Sequence, residues 1–312
     1  MISFRYHIVS IVSVFLALAV GIALGGGPLK GEVDTSLVKE LATRKTELAA
    51  QANQLAALRA STKFDDSYAA TSANAVLRKK LAGKSVALVT LPDADHGAGA
   101  EISTLIQNAG GRITGSFSIG SKLGKVANRQ LVEELTSQMA TSTKVAVASD
   151  ATGYERLGEL MGRAIGSKTG GSAYDATADS IMSGLSTAGL VTADGQPSGR
   201  ADLVLVLAGP ADRSDLGGAA NTIISQVLGS LATSTDGLVL TGPAGSAKDG
   251  GLLKVTRDDV SLERIISTVD SADSGAGQVV AVLALVERAG GTIGQWGAVD
   301  AQDGTMPGAP KP

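Results

Sequence analysis

The sequence predicts an α/β protein with one N-terminal transmembrane helix, a coiled-coil stalk, and a Rossmann-like three-layer domain built on a mostly parallel sheet. Three observations carry this. Residues Ile8–Leu29 contain no charged side chain, and a helix needs roughly 20 residues to cross a bilayer core. Leucines then recur every seven residues in a segment free of proline. Beyond Gly83, continuous apolar runs alternate with helical patterns, as strands covered on both faces do. The expected organisation is an anchor over 1–30, a stalk over 31–82, an extracytoplasmic α/β domain over 83–303 and a disordered tail over 304–312.

The anchor is flanked by the amino terminus, Arg5 and His7 on one side and by Lys30, Glu32 and Asp34 on the other. Basic residues favour the cytoplasmic side, so the amino terminus is expected inside and the body outside. The alternative is a cleaved signal peptide with Ala17-Leu18-Ala19 as its small-residue site, although the apolar run outlasts the roughly 7–15 residues of a signal core. Both readings put the body outside the cytoplasm. Ser13, Ala17, Gly21 and Gly25 recur every four residues and form one stripe of small side chains. Such a stripe lets two membrane helices pack closely, though small residues are also common near the end of export segments.

The chain has 312 residues, no cysteine, 40 glycines, 3% aromatic residues and a net charge of −3. Without cysteine there is no disulfide, thiol nucleophile, thiolate metal site or lipidated cysteine. The stalk carries a cationic surplus and the remainder an acidic one, which argues against a nucleic-acid surface.

From Asp34 to Leu81 the chain is rich in Ala, Leu, Lys, Glu, Gln and Arg, all good helix formers. Leu41, Leu48 and Leu55, with Leu37 and Leu58, occupy the two apolar positions of a heptad, interrupted by Arg44 and Gln51. A parallel dimeric coiled coil is expected; one amphipathic helix folded onto the globular part is the alternative. At Phe64 the phase slips, and Phe64, Tyr68 and Val76 continue on another stripe.

Gly83 ends this helix. Strands are expected at Ser85–Leu91, Arg112–Ile119, Leu203–Leu207, Leu238–Thr241 and Ile265–Val269. Helices are expected at 98–109, 128–140, 153–165, 175–188, Asn221–Leu231 and Gln278–Ala289.

Recognisable catalytic patterns are missing. Gly97-Ala98-Gly99 is followed by Ile102 where a dinucleotide fingerprint needs glycine. Gly120–Val126 is one residue short of a P-loop, and Val126 stands where the Ser/Thr for magnesium would be. The only histidines are His7 and His96, and no G-x-S-x-G elbow is present. No enzymatic activity and no cofactor are expected. Asp93, Asp95 and His96, Asp212, and Asp270 and Asp273 follow successive strands, so parallel strands would gather them at the carboxyl edge. They could form a hard-cation site, or serve as ordinary turn and cap residues.

The opening M-I-S-F-R-Y-H-I-V-S-I-V-S-V-F-L-A-L-A-V-G-I-A-L-G, the coil after it and the distal Ser267-Thr268-Val269-Asp270 … Gly275 … Gln278–Leu285 together resemble the actinobacterial MctB family. The resemblance covers nearly the whole chain. It implies a copper transporter or channel-forming protein, with an outer-membrane location. It equally implies a SteB-type coiled-coil protein that supports peptidoglycan hydrolases in envelope growth and division. The residues favour the second. Copper prefers thiolate, thioether or imidazole, and Met139, Met161, Met182 and Met306 are dispersed. A membrane barrel needs alternating strands and aromatic girdles. The expectation is a membrane-anchored homodimer that binds a division protein or cell-wall hydrolase.

Overall fold

The computed structural model describes residues 4–25, 29–169, 171–211 and 215–308, with the backbone alone at 4, 5, 29–35 and 215–217. The chain divides into two compact units, Met1–Lys63 and Phe64–Pro312.

In the first unit, apolar residues without a breaker form helix α1 (Phe4–Gly25). Its 22 residues span about 33 Å, enough for a hydrocarbon core. Among the described residues it is the one helix long and apolar enough to cross a membrane. Helix α2 (Leu29–Leu77) begins in this unit and ends in the second. Its predicted start at Asp34 falls inside the observed helix. Leu37, Leu41, Leu48, Leu55 and Leu58 are all exposed, and Arg44 reaches Glu40 at 4.0 Å and Glu47 at 3.5 Å.

The second unit follows the order β1 (Ser85–Thr90), α3 (His96–Asn108), β2 (Arg112–Ile119), α4 (Arg129–Thr143), α5 (Gly153–Ile165), α6 (Ala176–Ala188), β3 (Val191–Ala193), β4 (Leu203–Leu207), α7 (Asp215–Ala232), β5 (Gly237–Thr241), α8 (Leu252–Asp258), α9 (Val260–Glu263), β6 (Ile266–Val269), α10 (Gly275–Ala289) and β7 (Gln295–Trp296). The strands form one sheet in the order β3-β2-β1-β4-β5-β6-β7. Every pairing is parallel except β2 with β3.

Side-chain alternation along each strand feeds two apolar clusters. Ala87, Val89, Val204, Val206, Leu238 and Leu240 face the cluster built with α4 to α8. Val86, Leu88, Leu203, Leu205, Leu207 and Val239 face the cluster that includes Ile102 and Ile106 of α3 and Ala281 and Leu285 of α10. Ala73, Leu77 and Leu81 join this second cluster, so the end of α2 supplies part of the core. The continuing stripe expected at Phe64, Tyr68 and Val76 stays exposed, because residues 73, 77 and 81 face the sheet instead. Gly83, at φ 78, then turns the chain into β1.

At the amino edge the central strands are clasped. The Ser85 amide donates to Asp202 Oδ2 at 3.0 Å, and the Asp202 amide donates to Ser85 Oγ at 3.0 Å. The close crossing of α5 on α7 depends on Gly158, where an added carbon would meet Ser230 Cβ at 2.7 Å; just beyond both helices, a carbon on Gly166 would meet Thr235 Cγ2 at 2.6 Å.

The expected strands and helices are present with boundary shifts of a few residues, α7 starting earlier than Asn221. Strands β3 and β7 and helices α8 and α9 are too short for periodicity to announce. Residues 309–312 of the expected tail lie outside the described residues. Within 304–308, the Gly304 carbonyl accepts from the Gly297 amide at 3.1 Å.

Leu77 is fully buried while Leu41 is 69% exposed. Leu77→Ala should destabilise the second unit by about 2–5 kcal/mol. Leu41→Ala should leave its denaturation midpoint unchanged. Fluorescence of the single tryptophan, Trp296, reports both.

Candidate functional site

The carboxyl edge of the sheet is where an α/β fold ordinarily holds a ligand. Asp93 lies there, exposed and with a left-handed φ of 62. Asp95 caps α3, accepting from the Gly97 amide at 2.7 Å, and His96 opens that helix in solvent. Asp273 is exposed and accepts from the Ala244 amide at 3.4 Å. Asp212 lies outside the described residues. The loops after β1 and β6 are separated by β4 and β5, about 14 Å at the usual strand spacing. Among the described residues no three His, Cys, Asp or Glu side chains come together as a metal site.

Asp270 is internal. It is fully buried and its oxygens are occupied: Oδ1 accepts from the Ala298 amide at 2.6 Å and Ser271 Oγ at 2.7 Å. Oδ2 accepts from the Val299 amide at 3.1 Å and from the Arg257 guanidinium at 3.3 Å. Arg257 also donates to Thr268 Oγ1 at 2.7 Å, to the Trp296 carbonyl at 2.8 Å and to the Val299 carbonyl. Burial pulls the Arg257 pKa down, and the Asp270 charge works against that shift. The pair welds β6 to the chain after β7. A Cβ at Gly297, where φ is 139, would collide with the Asp270 carboxylate.

The order β2-β1-β4 puts the switch in strand direction of winding between β1 and β4. That crevice is filled by the chain itself: a Cβ on Gly209 would meet the Asp93 carbonyl at 2.8 Å and the Pro92 carbonyl at 3.0 Å. The loops after β1 and β4 thus meet backbone to backbone at this point.

Two exposed features remain. Leu37, Leu41, Leu48, Leu55 and Leu58 of α2 stand in solvent, and nothing lies within 4 Å of where a Cβ on Gly21 or Gly25 would be. Ser13 of the same stripe donates to its own helix, at 2.8 Å from the Val9 carbonyl, and Ala17 is exposed. The sulfur donors are arranged differently from their dispersal in sequence. Met139, Met161 and Met182 come from α4, α5 and α6, three mutually packed helices, and share one apolar cluster. Met139 Sδ would lie 3.3 Å from a Cβ on Gly184. Met306 is 41% exposed.

With this geometry, the sequence finds its relatives. A sequence model described as "Copper transport outer membrane protein, MctB" matches residues 1–307. The chain belongs to the MctB family. Members named "Copper transporter MctB" from Mycobacterium tuberculosis and Mycobacterium bovis are 30% identical over 311 residues, covering 95% of this chain and 96% of theirs. The Mycobacterium leprae member of that name is 28% identical over 312 residues. The MctB family label and the apolar α1 agree on a membrane protein with, among the described residues, a single candidate span.

Sequence reasoning missed Asp66, whose Oδ1 accepts from the Gly275 amide at 2.7 Å at the start of α10. A carboxylate suits that end of a helix, but a separation of 209 positions in sequence leaves no local signal. It also missed the ion pair of Arg163 with Asp175, 2.7 Å apart, beside the start of α6. The hydrogen bond from Arg163, joined by the Ala178 amide, holds the Asp175 carboxyl below its usual range. Burial, with Asp179 and Asp175 adding to it, pushes the Tyr174 phenol up to about 12.

Two outcomes follow from these pairs. Asp270→Asn should cost about 3–5 kcal/mol in chemical denaturation, because it strands the buried Arg257 charge. Calcium and magnesium calorimetry should be identical before and after the change. Asp175 has a depressed folded pKa, so its contribution is complete above the ordinary value of 3.8 and disappears as pH falls through the lower folded value. Thermal melts between pH 5 and pH 2 should therefore be less pH-dependent in Asp175→Asn.

Proposed function

We propose that this chain is a single-pass membrane protein that works by binding other proteins through α2, with its amino terminus in the cytoplasm and its α/β unit outside. The observation that carries the reading is the exposure of Leu37, Leu41, Leu48, Leu55 and Leu58, all on the part of α2 that precedes its buried end. Heptad leucines gain their burial from another helix, and a second copy of this chain offers the same seam. Arg44 and Gln51 within the seam weaken pairing but favour one register. The small-residue stripe Ser13, Ala17, Gly21, Gly25 would support the same association inside the bilayer. The closed crevice between β1 and β4 also favours a surface role over a catalytic one. The partner that suits this reading is a cell-wall hydrolase or another division protein of the envelope.

A Leu41/Leu48/Leu55→Asp variant of the full-length protein should fall to monomer mass in light scattering with detergent contribution subtracted. An unchanged mass rejects the coiled coil.

Copper transport, the activity in the relatives' names, is the second reading. Met139, Met161 and Met182 favour it, since thioethers suit monovalent copper and each comes from a different packed helix. Buried methionines are also ordinary core filling. Titration with monovalent copper under reducing conditions separates the two. Stoichiometric binding lost in Met139/Met161/Met182→Leu would support transport; absence of saturable binding would leave the interaction protein.

A further inference from the structure

The acidic balance of the second unit is reversed locally at the amino edge of the sheet. There a pocket of about 670 Å³ opens where α4, α5 and α7 end and α6 begins. Lys144, Arg163, Lys168 and Arg200 line it against a single lining carboxylate, Glu159. Glu159 is engaged by the Ala148 amide at 3.3 Å. Asp175, just outside the lining, is committed to Arg163 at 2.7 Å. The Arg163 guanidinium spends only one edge on that pair. Its Nη1 is buried and has no hydrogen-bond partner, a costly state for a charged donor.

Neutral donors stand beside the cations. Ser167 Oγ lies 2.7 Å from Ser172 Oγ and 3.2 Å from Thr169 Oγ1, so these hydroxyls satisfy one another and can turn toward a guest. Ser167 is itself 5% exposed, which fixes its position. Only Val145 and Ala146 bring apolar side chains to the wall. A cation at each helix end offsets the negative pole of that helix, and this alone accounts for one or two of the four. It does not account for an unpartnered guanidinium edge, a hydroxyl group cluster and a concave, hydrophilic wall at one place. The volume lies within the range of small-molecule sites.

We infer that this pocket binds a small sugar bearing an oxyanion, a carboxylate or a phosphate. Arg200 would take the oxyanion as a planar donor, Arg163 would add its charge from the wall, Lys144 and Lys168 would neutralise it, and the hydroxyls and Glu159 would meet the sugar hydroxyls. The pocket is remote from the leucine face of α2 in sequence and needs neither protein interaction nor copper transport for its own chemistry.

The test is calorimetry on the full-length protein in neutral-lipid nanodiscs at low salt, with glucose 6-phosphate, glucuronate, glucose and inorganic phosphate as probes. Saturable binding of glucose 6-phosphate or glucuronate, with none of glucose and weaker binding of phosphate, is expected; the stronger of the two sugars identifies the oxyanion. Lys168→Gln and Arg200→Gln should each weaken binding about tenfold, the loss of one charged hydrogen bond. Lys168→Gln should keep the wild-type melting temperature; Arg200 Nε also donates to the Ala173 carbonyl at 3.3 Å, so Arg200→Gln is compared at a temperature well below its own melting point. Absence of saturable binding by both sugar anions overturns the inference. So does binding unchanged in both variants. Phosphate binding as tightly as the sugar anions overturns the sugar.

Discussion

Strands β1, β4 and β5 are buried along their whole length, so each of their side chains needs apolar cover on one face or the other. That requirement organises the second unit. It draws α4 to α8 to one side and α3 and α10 to the other. Two helices do not fill the second side, and Ala73, Leu77 and Leu81 complete it. Asp66 then sits at the start of α10, where its charge meets free amides. The last turns of α2 are thus fixed by both an apolar and a polar contact. The Ser85–Asp202 clasp holds the amino edge, and the Arg257–Asp270 pair holds the far carboxyl corner.

The same economy decides what the fold leaves free. A doubly wound sheet usually keeps a crevice at its carboxyl edge, but Gly209 brings the loop after β4 onto the backbone of Pro92 and Asp93. Aspartates that could have served a ligand instead cap a helix, tie a loop or neutralise an internal arginine. What stays open lies at the surface: the exposed leucines of α2 and a cationic recess at the amino edge of the sheet. In a buried ion pair such as Arg257–Asp270 desolvation offsets much of the attraction, so the pair is costly to break by removing one partner while adding little net stability when whole.

Much of this architecture was legible in the sequence. Leu203–Leu207 reads as a buried strand because five consecutive apolar, partly β-branched residues have no other use. Helix α5 matches the expected 153–165, and the structure adds the capping box of Thr152 and Glu155 that fixes its start. Strands β3 and β7, at 3 and 2 residues, carry too little pattern to detect. The acidic residues after the strands could be assigned to the carboxyl edge, but not sorted into cap, turn and ion pair. That sorting depends on partners such as Arg257, set by tertiary geometry. The same limit hid the pocket at the amino edge, whose four cations are spread from Lys144 to Arg200, and the shared layer of the three methionines.

The enclosure of Leu77 and Leu81 also says where this chain can be divided. Gly83 looks like a natural seam, since a helix ends there and a strand begins. Cutting at that glycine would remove three core side chains and uncover the flanks of α3 and α10 to water. The resulting fragment would carry an apolar gash and tend to aggregate. An excised globular piece has to keep the helix back to about Phe64, where the compact unit begins. The visible boundary between helix and sheet is therefore a boundary of secondary structure only; the compact unit starts several helical turns earlier.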